Sequence, residues 1–159
     1  MLGSLLVMFG SYVIGAVPVA YLAGRLLKGI DLREHGSGNI GPSNVWQSVS
    51  KPAVVPVGLA EIAQGMAGPL AARRLGKSRF VQVVCGLAAL VGHIWSPFLN
   101  FTGGRGIGHA LGFMLAVCRP ALTAFVAVSL AGVALRRVPE CVGLGILAAP
   151  VVALARRAP

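Results

Sequence analysis

Acidic residues are scarce in this chain: among 159 residues, four are Asp or Glu and 14 are Lys or Arg, which gives a net charge of +10. Charged residues make up 11% of the sequence, against about 25% in a typical soluble domain. So few charges cannot cover the surface of a water-soluble fold. Hydrophobic residues make up 56%, which excludes a disordered chain. The three cysteines, Cys85, Cys118 and Cys141, are far apart in apolar runs, which excludes a disulfide scaffold.

Long apolar runs instead predict an all-α, polytopic membrane bundle of about five or six transmembrane helices, forming a single domain over residues 1–159. The run Ile107–Leu135 is too long for one crossing and contains Arg119-Pro120. Because proline cannot continue the hydrogen-bond ladder of a helix, we predict two short helices there. The predicted segments are Met1–Gly24, Pro52–Ala72, Phe80–Phe101, the two halves of Ile107–Leu135, and Cys141–Ala155. Basic residues divide equally between the two predicted sides, so charge alone does not fix the orientation.

The first polar loop, at about residues 29–47 (loop 1), is rich in glycine and in small polar side chains. Its centre reads Gly36-Ser37-Gly38-Asn39-Ile40-Gly41-Pro42-Ser43-Asn44. This spells a dinucleotide-binding pattern, but that fingerprint needs a preceding strand in a βαβ unit, and a membrane helix precedes it here. Glycines still allow successive backbone N–H groups to converge on an anion, and a helix beginning near Asn44 would add its positive end. We therefore predict a phosphate-binding loop, with a turn-rich connector as the alternative.

The second polar loop, at about residues 92–107 (loop 2), carries Gly103-Gly104-Arg105-Gly106. Arginine binds phosphate through a bidentate fork, which favours a second anion site. His93 precedes it at the end of an apolar run, where it is either a packed side chain or the group that holds a hydroxyl or moves a proton. The sequence has no Walker loop and no nucleophile elbow.

Glu61 interrupts a predicted transmembrane segment. A carboxylate at that depth should face the bundle interior and find a partner, and Arg105 or a loop amide is the expected one. A structural ion pair and a catalytic role both remain open. His35 and His109 have no metal-type spacing with an acid or a cysteine, so no metal site is predicted. Nucleic acid is not an expected partner, because no basic, aromatic-interleaved module is present.

Taken together, the two loops resemble the bacterial acyl-phosphate:glycerol-3-phosphate acyltransferases of the PlsY type. The lead-in Gly15–Gly24, Asp31-Leu32-Arg33, Gly92-His93 and Phe101–Gly106 match that family as well. The resemblance implies a multi-pass enzyme of the bacterial inner membrane, with both loops facing the cytoplasm. Such an enzyme transfers an acyl group from acyl phosphate to the 1-hydroxyl of glycerol 3-phosphate, giving lysophosphatidic acid for phospholipid synthesis. It uses no thioester donor, no metal and no other cofactor.

The resemblance also suggests roles for individual residues. His93, Asn44 and Arg105 are the candidate catalytic residues: His93 and Asn44 would orient the glycerol hydroxyl, and Arg105 would neutralise charge on the phosphate that leaves. The substrate phosphates would be held by the two loops, through Gly36, Ser37, Gly38, Asn39, Gly41, Ser43, Gly103, Gly104 and Gly106.

This sequence departs from the family pattern in its cations. Gln47, Gln64 and Thr102 stand where the family carries basic residues, and the family's C-terminal motif is absent before Pro159. These departures favour a first alternative, a non-catalytic relative that binds an anionic lipid or a phosphate metabolite. A second alternative is a small transporter, which Glu61 and broken helices would suit.

Overall fold

The computed structural model describes residues 1–155, without the side chains at positions 138–139, 149–150 and 153–154. Its described residues form eight α-helices joined by loops and two short 3-10 turns, Leu32–Glu34 and Pro97–Leu99. The helices are α1 (Leu2–Ala16), α2 (Val19–Lys28), α3 (Pro42–Ser48), α4 (Val54–Arg74), α5 (Arg79–Ile94), α6 (Ile107–Val117), α7 (Arg119–Ala134) and α8 (Val138–Ala155). The terminal Arg156–Pro159, on which the expectation about the C-terminal motif falls, lies outside the described residues.

The distribution of polar and apolar side chains is that of a membrane bundle. Large apolar side chains such as Leu5 and Phe9 are exposed on the outside, whereas Glu61, His93 and His109 are buried. The paired helices α1 and α2 (Leu2–Lys28, 27 residues) and α4 (Val54–Arg74, 21 residues) are long and apolar enough to cross a bilayer. Helices α5, α6 and α7 are shorter and also apolar, and α8 packs mainly against α7. The predicted all-helical membrane fold is confirmed.

The predicted division of Ile107–Leu135 is confirmed: α6 ends at Val117 and α7 begins at Arg119. Pro120 occupies the first turn of α7, where a missing N–H costs nothing. The third segment was predicted too long. Helix α5 ends at Ile94, not at Phe101, because the chain turns at Ser96-Pro97 and enters loop 2.

The first segment, predicted as one helix, is broken at Val17-Pro18 into α1 and α2. Pro18 has no N–H to donate to the carbonyl oxygen of Ile14. Gln64 of α4 supplies donors instead, because its Nε2 lies 2.7 Å from the Ile14 oxygen and 3.0 Å from the Val17 oxygen. Gln64 therefore stabilises the kink between α1 and α2 and joins it to α4.

Close helix contacts in the bundle depend on glycine. Gly15 of α1 lies directly against the backbone of Ala89 in α5, and Gly65 of α4 lies against the backbone of His109 in α6. A Cβ at either position would overlap that backbone, so the side chain of any other residue would force the helices apart. The contacts bring α1, α4, α5 and α6 together beneath the two polar loops.

Candidate active site

Loop 1 is built around the side chain of Asn44, which is fully buried. Its Nδ2 donates to the carbonyl oxygens of Leu32 (3.0 Å), His35 (2.9 Å) and Asn39 (3.0 Å). Its Oδ1 accepts from the backbone N–H of Ser37 at 3.3 Å. One amide thus closes the loop on itself. Asn44 is a positioning residue in this structure, because its donor atoms already have partners.

Gly36 is required at the tightest point of this loop. Its φ of +58° lies in the left-handed region, and a Cβ there would overlap the side chains of Asn44 and Ser48. The loop then continues into α3, which begins at Pro42 close to the predicted helix start.

Asp31 anchors the start of loop 1. It accepts from the backbone N–H of Arg33 at 3.0 Å, and its carboxylate lies 2.7 Å from Arg33 Nη2 and 3.1 Å from Arg25 Nη2. These hydrogen bonds, the one from the Arg33 side chain foremost, hold the pKa of the Asp31 carboxyl well below its usual range. The same pair raises the pKa of Arg33. Asp31 is therefore ionised throughout the neutral range and keeps loop 1 attached to α2.

The Asp31 anchor predicts a dependence of stability on pH. A carboxyl whose pKa is lowered in the folded state stabilises the fold above its unfolded pKa of about 3.9 and loses that contribution as the pH falls further. We expect the melting temperature of the detergent-solubilised protein to fall as the pH is lowered below about 4. In Asp31→Asn the melting temperature should be lower at pH 7 and should change less over the acidic range. Equal acid sensitivity in both proteins would contradict the anchoring role.

Loop 2 is fixed to α1 by hydrogen bonds between residues distant in sequence. Ser96 Oγ donates to the carbonyl oxygen of Ala16 at 2.6 Å, and Tyr12 Oη donates to that of Trp95 at 2.9 Å. Gly104 lies between the carbonyl oxygen of Ile40 in loop 1 and the imidazole of His93. A side chain at Gly104 would separate these groups, so glycine there lets the two loops meet.

A cavity of about 260 Å³ lies where loops 1 and 2 meet α4 and α6. Its lining residues are Asn39, Gly41, Pro42, Ser43, Gly58, Glu61, Ile62, His93, Arg105, Gly106, Ile107, Gly108 and Leu111. One part of this wall is polar and comes from the loops. The other comes from α4 and α6, where Ile62 and Leu111 are apolar and Glu61 is the polar exception.

The sequence-predicted site residues divide into two groups. His93, Arg105, Asn39, Gly41, Ser43, Gly106 and Glu61 line the cavity. Gly36, Ser37, Gly38, Asn44, Gly103 and Gly104 lie outside its lining. Of these, Asn44 and Gly104 shape the loops that form the wall, and Gly103 packs against the carbonyl oxygens of His93 and Ile94.

The prediction that Glu61 pairs with Arg105 was wrong. Among the described residues Glu61 makes no ion pair with Arg105, and its Oε1 has no hydrogen-bond partner. The two groups differ in environment, because Arg105 is exposed and Glu61 is 2% exposed. Glu61 lies instead beside His93 and His109, with one ligand atom of each within 4.8 Å of the others.

His109 is the residue that the sequence analysis missed. It is fully buried in α6, and the centroid of its ring lies 4.2 Å from that of His93. Spacing along the chain gave no signal, because the three groups come from three different helices. Their contact depends on Gly65 and Gly108, which let α4 and α6 approach each other.

Comparison with known proteins places these features in a family. The sequence pattern of the glycerol-3-phosphate acyltransferases matches residues 5–156. The glycerol-3-phosphate acyltransferase of Synechococcus sp. (strain CC9902) is 41% identical over 87% of this chain, and that of Desulforudis audaxviator (strain MP104C) is 40% identical over 86%. Among solved structures, the glycerol 3-phosphate form of PlsY, an integral membrane acyltransferase, has a TM-score of 0.76 with 30% identity. That match covers 96% of this chain and 75% of the other.

The matches extend over most of this chain but over a smaller part of several relatives. The chain spans 69% of the Synechococcus sp. (strain CC9902) protein, but 56% of the Parasynechococcus marenigrum protein, which is 42% identical over 75% of this chain. The lysophosphatidic acid form of PlsY gives a TM-score of 0.73, 29% identity and coverage of 96% of this chain and 74% of that one. From sequence and structure alike, the chain belongs to the PlsY-type glycerol-3-phosphate acyltransferase family.

Proposed function

We propose that this membrane protein transfers an acyl group from acyl phosphate to the 1-hydroxyl of glycerol 3-phosphate, which gives lysophosphatidic acid and phosphate. The observation that carries the proposal is that one cavity is lined by residues of both loops, including His93 and Arg105. It supports the proposal because the PlsY relatives of similar fold were solved with glycerol 3-phosphate and with lysophosphatidic acid.

In the proposed reaction the 1-hydroxyl oxygen attacks the carbonyl carbon of acyl phosphate. The new ester bond forms as the bond between that carbon and the phosphate oxygen breaks, and the hydroxyl proton passes to the departing phosphate. Arg105 lies in the wall of the cavity, and in the proposed reaction its guanidinium neutralises the charge that develops on that phosphate. His93, on the same wall, holds the attacking hydroxyl in position.

The apolar part of the cavity suits the acyl chain. Ile62 of α4 and Leu111 of α6 both line it, and both helices are apolar. Burying a methylene group is worth about 0.8 kcal/mol, so a long chain is held mainly by this part. We place the loops on the cytoplasmic side of the inner membrane, since glycerol 3-phosphate is a water-soluble metabolite of the cell interior.

A second candidate function is binding of a phosphate-bearing molecule without turnover. Arg105 is the one permanent cation among the described residues that line the cavity. Two phosphate-bearing substrates bring more negative charge than one guanidinium neutralises, which favours a site that binds a single anion. A third function, transport, gains no support from the structure of the cavity.

Product analysis separates the first two functions. Purified protein in lipid would receive glycerol 3-phosphate with acyl phosphate, or with acyl-CoA as a control donor. We expect lysophosphatidic acid from acyl phosphate and none from acyl-CoA. Folded protein that binds glycerol 3-phosphate but forms no product from either donor would exclude the enzyme and favour the binding function.

A further inference from the structure

Three buried titratable side chains lie together beside the cavity, and two of them, Glu61 and His109, have polar atoms without hydrogen-bond partners among the described residues. Glu61, His93 and His109 are 2%, 5% and 0% exposed. Among the described residues, both ring nitrogens of His109 lack a hydrogen-bond partner, and so does Oε1 of Glu61. The Gly15 backbone interacts with the His109 ring without completing a hydrogen bond. Leaving such groups unpaired is costly, so a buried carboxylate is normally paired, hydrogen-bonded or bound to a metal.

The three groups are arranged as a set of ligands. One ligand atom of each lies within 4.8 Å of the others, and the rings of His93 and His109 are tilted by 34°. At metal–ligand distances of about 2.0–2.1 Å, tetrahedral donors lie about 3.3 Å apart, so small side-chain rotations bring these atoms into range. Two imidazoles and one carboxylate suit zinc and similar transition metals, whereas magnesium and calcium prefer oxygen ligands.

We propose that Glu61, His93 and His109 bind one divalent transition-metal ion of the zinc class in the wall of the cavity. Glu61 and His93 line the cavity, so the fourth coordination position opens into it. His93 has two ring nitrogens, and one remains free for a substrate hydroxyl. Gly108 makes room for the carboxylate, because a Cβ at that position would lie 2.8 Å from Glu61 Oε2.

The bound ion gives the cavity the positive charge that its side chains lack. Arg105 is the one permanent cation among the described lining residues. A divalent ion adds positive charge next to the site proposed for a phosphate group. This second step rests on the proposed function, whereas the metal site itself rests on the geometry of three side chains. A metal site departs from the metal-free chemistry that the resemblance implies, and it depends on Glu61, His93 and His109 of this chain.

The first test measures metal binding without any substrate. The protein, in detergent and treated with a chelator, is titrated with Co²⁺, whose visible absorption reports tetrahedral coordination, and with Zn²⁺ by calorimetry. We expect one ion per chain, and a loss of affinity of about 100-fold in His109→Ala and in Glu61→Gln. His35→Ala is the matched control, because His35 is an exposed histidine outside the cluster and should leave binding unchanged.

The metal site would be overturned if wild-type protein bound neither Co²⁺ nor Zn²⁺. It would also be overturned if His109→Ala and Glu61→Gln bound these ions as tightly as wild type does. The titration of wild-type protein shows by itself whether the ion binds, so the test does not depend on the folding of a variant.

A second measurement tests the role of the ion in holding phosphate. Equilibrium dialysis would compare binding of inorganic phosphate to zinc-loaded and to chelated wild-type protein. We expect about tenfold tighter binding to the loaded form, as the added charge predicts. Equal or weaker binding to the loaded form would overturn the phosphate role. Activity in the absence of any bound metal would leave the proposed acyl transfer standing, so the two proposals fail separately.

Discussion

Replacing Arg105 by alanine should lower the rate of lysophosphatidic acid formation by about 10²–10³-fold, as expected for loss of a group that stabilises developing negative charge. Arg105 lies in the cavity wall and makes no ion pair within the described residues, so its guanidinium is available to the substrate. Arg105→Lys keeps the charge but loses the bidentate fork, and its rate should be intermediate. The measurement is the initial rate of product formation in lipid.

The control for this experiment is Arg74→Ala. Arg74 is an exposed arginine in the last turn of α4 and does not line the cavity. The Arg74→Ala substitution removes one positive charge, as Arg105→Ala does. Comparing the two therefore separates a local effect of Arg105 from a general effect of net charge. Equal rates for Arg105→Ala and Arg74→Ala would contradict the proposed role.

The second large effect is expected for Asn44→Asp. The change keeps the size of the side chain but removes the Nδ2 donor to the carbonyl oxygens of Leu32, His35 and Asn39. It also puts a buried carboxylate against those oxygens. Each buried group left unpaired costs about 1–3 kcal/mol, so we expect destabilisation of at least about 3 kcal/mol and loss of binding of glycerol 3-phosphate. Thermal unfolding and a binding titration in detergent measure the two effects.

Asn100→Asp is the matched control for this substitution. Asn100 is exposed, and its φ of 54° is a conformation that Asp also adopts. The control protein should unfold and bind as wild type does. If Asn44→Asp keeps wild-type stability, Asn44 does not hold loop 1 together.

Local patterns predicted much of the fold because its main features depend on neighbouring residues. The separation of α6 from α7 follows from Pro120 alone, since proline interrupts a helix wherever it stands in an apolar run. The break at Pro18 was not predicted, although the same rule applies. There the carbonyl oxygens of Ile14 and Val17 receive additional hydrogen bonds from Gln64, which is close to them only in the folded protein.

In the candidate active site, too, local sequence predicted some features, whereas others depend on contacts between distant residues. The polar and glycine-rich composition of loops 1 and 2 indicated an anion site, and the cavity between them contains residues of both loops. The neighbours of Glu61 were not predictable, because His93 and His109 reach it from two other helices. That Asn44 orients the glycerol hydroxyl stays a prediction. The motif identified the side chain, but only the structure shows that its Nδ2 donates to three carbonyl oxygens of loop 1.

Loops 1 and 2 line one cavity, and we propose that glycerol 3-phosphate binds in it. A crystal structure of the complex with glycerol 3-phosphate would test this binding mode. We predict that the phosphate lies against Arg105 and that the 1-hydroxyl lies within hydrogen-bond distance of His93. A phosphate held elsewhere, for example by Lys51 outside the cavity, with no ligand between the loops, would contradict it.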